Sequence, residues 1–196
     1  MLIYLHGFNS SPQSHKAQVL GRYMAARGLG SRYACPALPH LPEQAIAVIE
    51  TELARAPKLP VTLIGSSLGG FYATWIAEKH GLKAVLINPA VHPHRDLRAF
   101  LGVQRNLHTA QEYELTEAHL AQWARLSVPV ITPSRYLLLV ETGDELLDYH
   151  EAVAKYAGAR QVIVRGGDHT LQSFPDHLQK ILEFAGLPLG STGSAD

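Results

Sequence analysis

The chain has almost no cysteine, no surplus of either charge and no long apolar run, and each absence removes a class of protein. A single cysteine, Cys35, rules out an internal disulfide, and its place beside Pro36 at an apparent strand end reads as a reduced thiol packed in the interior. Lys and Arg number 17, as do Asp and Glu, so no cationic excess is available to hold a nucleic-acid backbone or an anionic membrane. No apolar stretch approaches the ~20 residues of a membrane span. Met1 leads directly into Leu2-Ile3-Tyr4-Leu5 with no basic leader, which sets the expectation of a cytoplasmic protein. No repeat is visible. The end, from Gly190 to Asp196, lacks an apolar anchor, and residues 188–196 are expected to be disordered.

What is present is a rhythm. The 196 residues suit one domain, expected over 1–187, with enough chain to bury a core. Short apolar runs at Leu2–Leu5, Ser31–Cys35, Val61–Ile64, Lys83–Ile87, Tyr136–Val140 and Gln161–Val164 read as strands. Between them lie amphipathic helices. The segment after Pro12 places Ala17, Leu20, Tyr23 and Met24 on one face, and the one opened by Pro42 aligns Ile46, Ile49 and Leu53. Strands alternating with helices imply parallel pairing through right-handed crossovers. Continuous apolarity, as in Leu137-Leu138-Leu139-Val140, marks strands covered on both faces. The fold class is α/β, a three-layer sandwich. The stretch from His92 to Pro133 breaks the rhythm, being polar and helix-prone, and is read as a helical insertion roofing the site.

Val61-Thr62-Leu63-Ile64-Gly65-Ser66-Ser67-Leu68-Gly69-Gly70 carries the chemistry. An apolar run ends in glycine-x-serine-x-glycine and passes into a helix of small residues, Gly70, Ala73, Ile76 and Ala77. This is the pattern of a nucleophile elbow, a strained turn that lifts the serine oxygen clear of the backbone. The central residue is Ser67.

A serine hydroxyl needs a base, and the base needs an acid that holds its tautomer. On this kind of sheet the chain order is serine, acid, histidine. Glu141-Thr142-Gly143-Asp144-Glu145 follows the fifth strand and puts Asp144 in a glycine-containing turn; Glu141 is the runner-up. Arg165-Gly166-Gly167-Asp168-His169 follows the sixth strand, and its glycines allow His169 to swing toward Ser67. Of the 11 histidines, His150 and His177 fall in helical stretches, and His92 and His94 belong to the roof. Asp148 lies in the helix after the acid turn, and Asp168 is too close in sequence to His169 to face it.

Acyl transfer also needs donors for a developing oxyanion. The N–H of Leu68, at a helix start, is one candidate. The N–H of Phe8, after the flexible Gly7 in His6-Gly7-Phe8-Asn9-Ser10-Ser11, is the other, with His6 bracing that loop. The chemistry requires no metal or organic cofactor; His92 and His94 flank Pro93 without acids or cysteines at ligand spacing.

Five blocks give the chain a family resemblance: Tyr4 to Pro12, Gly65 to Trp75, Asn88-Pro89-Ala90-Val91, Thr142 to Glu145 with Leu147-Asp148-Tyr149, and Gly166 to His169. It resembles the α/β-hydrolase superfamily, and more narrowly the small bacterial esterases of the YqiA type. The resemblance implies a compact, mostly parallel six-stranded sheet, a triad of Ser67, Asp144 and His169, and carboxylic esters or fatty acyl thioesters as small-molecule substrates. A short roof favours small and medium acyl groups, with Phe8, Phe71, Val91, Phe100 and Leu101 as candidate wall residues. The same frame also serves thioesterases, peptidases and carbon–carbon bond hydrolases, and a non-catalytic interaction protein is the alternative from another class.

Overall fold

The computed structural model describes residues 1–56 and 59–188. The tail expected to be disordered lies, from residue 189 on, outside them. Six strands form one sheet: β1 (Leu2–Leu5), β2 (Tyr33–Ala34), β3 (Thr62–Ser66), β4 (Lys83–Ile87), β7 (Tyr136–Glu141) and β8 (Arg160–Val164). Their spatial order is β2-β1-β3-β4-β7-β8, and every neighbouring pair is parallel. All six runs expected as strands match within two residues at each end. The second shrinks to two residues because a 3-10 turn at Gly30–Arg32 takes up its start.

Side chains alternate across the sheet, as the period of two demands. Ile3, Leu5, Leu63, Leu86, Leu138 and Val140 face one core, and Leu2, Tyr4, Ile64, Val85, Ile87, Leu137 and Leu139 face the other. The first core is closed by α2 (Pro42–Arg55), α3 (Leu68–His80), α5 (Glu117–Arg125) and α6 (Tyr149–Lys155), and the second by α1 (His15–Ala25) and α7 (Leu178–Ala185). In α1 the buried face is Ala17, Leu20 and Met24, with Tyr23 at its margin; in α2, begun at Pro42, Ala45 and Ile49 are buried and Ile46 and Leu53 partly so.

The segment from His92 to Pro133 departs from the expectation of a strandless, helical insertion. A short α4 (Pro93–Asp96) and a 3-10 turn (Leu97–Phe100) lead into an antiparallel hairpin, β5 (Gly102–Arg105) and β6 (Glu112–Leu115), before α5. The hairpin was hidden by its own chemistry: four-residue strands reading Gly-Val-Gln-Arg and Glu-Tyr-Glu-Leu present one face to water, and Val103 is 77% exposed. It is pinned to the loop after β1. Asn106 Nδ2 donates to Ser10 O (2.8 Å), Leu107 N–H to Asn9 O (2.9 Å), and Tyr113 Oη–H to Asn9 Oδ1 (2.7 Å).

Parallel strands bring all their carboxyl ends to one rim, and α3 starts at that rim in unusually close contact with the sheet. A Cβ on Gly69 would fall inside the van der Waals envelope of Leu5 O, and one on Gly70 would lie 2.6 Å from Pro89 Cβ. Backbone cannot yield as a flexible side chain can. Gly69→Ala is therefore expected to cost about 3 kcal/mol or more, lowering the thermal midpoint by roughly 6–12 °C, as measured by circular dichroism.

Candidate active site

Ser67 sits between β3 and α3 with φ 54° and ψ −122°, in a region where an L-residue is strained. The surroundings over-determine it. Its N–H donates to Ile87 O (2.9 Å), and its carbonyl accepts from the N–H groups of Gly70 (2.9 Å) and Ala90 (3.1 Å). The sharp turn points the hydroxyl away from the sheet toward the loop after β8.

His169 comes from that loop. Its Nε2 lies 3.1 Å from Ser67 Oγ, and its Nδ1 lies 2.9 and 2.8 Å from the two carboxylate oxygens of Asp144, which follows β7. A carboxylate only accepts, so the proton is on Nδ1 and Nε2 is free to accept from the serine hydroxyl. The side chain of Asp144 is 2% exposed and that of His169 18%. Asp144 Oδ1 also takes the N–H groups of Leu146 and Leu147, both at 2.9 Å. Residues 67, 144 and 169 thus form one hydrogen-bonded chain.

The rival residues are engaged elsewhere. Asp148 caps α6 by accepting from His150 N–H, and His150 pairs back to Asp148. The carboxylate of Asp168 turns to Thr170 and Gln172. His177 lies in a 3-10 turn against Ser173. Glu141 is committed to the loop that carries His169 rather than to the imidazole.

Gly7 and Phe8 border the serine. A Cβ on Gly7 would lie 3.2 Å from Ser67 Cβ, which brings the loop after β1 against the elbow. Leu68 is the first residue of α3, so its N–H is one of those an α-helix leaves without an internal partner. His6 braces the loop: Nδ1–H donates to Gly7 O (3.1 Å) and Nε2 accepts from Leu38 N–H (2.9 Å).

A cavity of about 790 Å³ opens over Ser67 and His169, walled by Phe8, Leu97, Phe100, Leu107, Leu146 and Phe174 among others. Of the expected wall residues, Phe8 and Phe100 line it. Phe71 and Val91 are instead buried in the core under α3, and Leu101 lies outside the cavity wall. Helical periodicity marks a residue as apolar without saying which neighbour it meets. Leu107, Leu146 and Phe174 escape sequence reading for that reason, since they arrive from the hairpin tip, the acid turn and the histidine loop. Cys35 is half-buried, and burial pushes its thiol up to about 12, which suits packing rather than reactivity.

The family model described as Uncharacterised protein family (UPF0227) matches residues 1–186. The chain belongs to that family. A UPF0227 protein of Vibrio vulnificus (strain CMCP6) is 22% identical over 186 residues, spanning 94% of this chain and 98% of its own length. Among solved structures, alpha/beta hydrolase domain-containing protein 10 from mouse superposes with a TM-score of 0.70 at 13% identity, covering 93% of this chain and 87% of that one. The esterase domain of a Rhodothermus marinus protein does so with a TM-score of 0.68 at 19% identity, covering 94% and 85%. The UPF0227 chain therefore has the α/β-hydrolase fold. No helix among its described residues is long and apolar enough to cross a membrane.

A histidine pair stands behind the β1 loop of this UPF0227 chain. His119 Nδ1 accepts from Thr116 N–H (3.1 Å), so Nε2 carries the proton and donates to His40 Nδ1 at 3.0 Å; His40 stacks on Tyr113 of the hairpin. Burial pushes both imidazoles below their ordinary value, with repulsion from His40 as a further cause for His119; burial does the same to His6. The unfolded chain then binds more protons than the folded one as pH falls through about 6.5. Stability should be full above that value and decline below it. Thermal midpoints are expected to be flat from about pH 8 to pH 7 and to fall toward pH 5, and His40→Gln should make the fall shallower.

Proposed function

We propose that the protein is a serine esterase that cleaves carboxylic esters and acyl thioesters of small molecules through an acyl-enzyme. The observation that supports this most is the continuous chain from Ser67 Oγ through His169 to Asp144, with 3.1 and 2.8–2.9 Å links. His169 takes the proton of Ser67 as the hydroxyl attacks the acyl carbon, and Asp144 stabilises the imidazolium. The oxyanion lies against the N–H groups of Leu68 and Phe8, with the start of α3 adding its dipole. His169 then gives the proton to the leaving alcohol or thiol, and in a second step draws one from water to release the acid and free Ser67. No step calls for a metal or an organic cofactor. A cytoplasmic setting belongs to the same proposal.

The cavity supports a small-molecule substrate over an extended peptide. It falls within the ~300–1,000 Å³ range of small-molecule sites, is mostly apolar, and is roofed by the hairpin and the 3-10 turn at Leu97–Phe100. Its size accommodates acyl groups bulkier than a short roof would suggest.

A fluorophosphonate probe is expected to label the wild-type protein covalently and to leave Ser67→Ala unlabelled. Turnover of p-nitrophenyl esters should fall on the order of a millionfold for Ser67→Ala or His169→Ala, and about ten-thousandfold for Asp144→Asn. Ser66→Ala should stay close to wild type. An unlabelled wild-type protein, or a labelled Ser67→Ala, refutes the reading.

A further inference from the structure

Glu141 ends β7 three residues before Asp144, is 1% exposed, and its carboxylate accepts from one loop. Oε2 accepts from the N–H groups of Asp168 (2.9 Å) and Gln172 (3.0 Å), and Oε1 from the N–H (2.8 Å) and hydroxyl (2.7 Å) of Ser173. Gly167 is its steric complement: at φ 69° its missing Cβ leaves the space that the Glu141 carboxylate occupies. Asn88, 2% exposed and at φ 38°, completes the arrangement at the end of β4. Its Oδ1 accepts from Glu141 N–H (3.0 Å), while Nδ2 donates to the carbonyls of Asp168 (3.0 Å) and His169 (3.1 Å). The backbone on both sides of His169 is thereby tied to two side chains from strands under the site.

We propose that Glu141, seated by Asn88, is a positioning residue that fixes the 167–173 loop so that the His169 imidazole stays within reach of Ser67 and Asp144 together. The role belongs to a carboxylate. Four donors converge on it, and a carboxylate offers only acceptors, whereas the amide of a glutamine would turn an N–H toward other N–H groups. Burial by itself would push the pKa of Glu141 up, but the hydrogen bonds from Ser173, Asp168 and Gln172 outweigh it and hold the group below the ordinary carboxylate value. It is therefore charged wherever an imidazole can act as a base. Glu141 touches neither Ser67 nor the imidazole; it acts through the loop.

The proposal rests on the serine-hydrolase reading, and the experiment separates the two. Wild type, Glu141→Gln, Asn88→Asp and Glu78→Gln are compared for the rate of fluorophosphonate labelling and for kcat and KM on p-nitrophenyl butyrate, at a temperature where circular dichroism shows each folded. Glu78 is the control, since its carboxylate serves Thr132, Arg135 and Tyr136 at the far end of β7. Glu141→Gln and Asn88→Asp are expected to be labelled about a hundredfold more slowly than wild type, the loss expected of a displaced catalytic group. Their kcat should fall in parallel, with KM within about twofold of wild type, as for a change confined to the transition state. Glu78→Gln should be labelled at the wild-type rate despite a lower thermal midpoint. Labelling of Glu141→Gln at the wild-type rate, or equal slowing of Glu78→Gln, overturns the positioning role alone. Failure to label wild type overturns the serine reading itself. Should Glu141→Gln not fold, Ser173→Ala removes a single donor: severalfold slower labelling supports the role and an unchanged rate overturns it.

Discussion

The turn at Ser67 is a strained conformation held in place by backbone contacts from three directions. β4 supplies the acceptor Ile87 O, the segment after β4 supplies the donor Ala90 N–H, and β1 lies so close beneath α3 that Gly69 has no room for a side chain. A serine with φ 54° persists only where its surroundings outweigh the cost of that conformation. The packing of α3 on the sheet is thus inseparable from the exposure of one hydroxyl. Loosening the helix would relax the turn, and relaxing the turn would draw the oxygen back toward the sheet.

Around that point the acidic residues divide the work by the donors they meet. Asp144 faces an imidazole and two N–H groups of its own turn, Glu141 faces four donors of the next loop, Asp148 caps α6, and Asp168 folds back on Thr170 and Gln172. All four carboxylates lie within 28 residues of one another in the chain, yet only Asp144 meets the histidine. The two most buried of them, Asp144 and Glu141, accept from three and four donors, as the cost of burying a charge requires.

Asn9 carries several of the contacts that join the roof to the site. Asn9, at φ 51°, receives the Leu107 N–H on its carbonyl and the Tyr113 hydroxyl on its side chain, and its Nδ2 donates to Gln104 at 3.1 Å. Because Asn9 follows Phe8, the hairpin that walls the cavity is fastened to the same loop that borders Ser67. Cavity shape and the backbone geometry beside Ser67 are consequently coupled through one short segment.

Much of this was legible in the residues alone, wherever the determining physics is local. Apolar runs with a period of two or with no polar interruption identify strands whatever lies beside them, and Pro42 announces the start of α2. The glycines at 65 and 69 mark a turn that no side chain could enter. Chain order and placement in a loop after a strand then favoured His169 as the candidate base and Asp144, ahead of Glu141, as the candidate acid. The hairpin was not legible, because four-residue strands with one wet face have neither the length nor the apolarity of a core strand. Nor were the cavity walls beyond Phe8 and Phe100, or the task of Glu141. Those depend on which donors and surfaces arrive from segments distant in the chain, such as Gln172 and Ser173 from beyond β8 and Leu107 from a hairpin tip. Backbone preference and hydrophobic period are written within a few residues, whereas hydrogen-bond partnership across tens of residues exists only after the sheet has brought its strand ends to one rim.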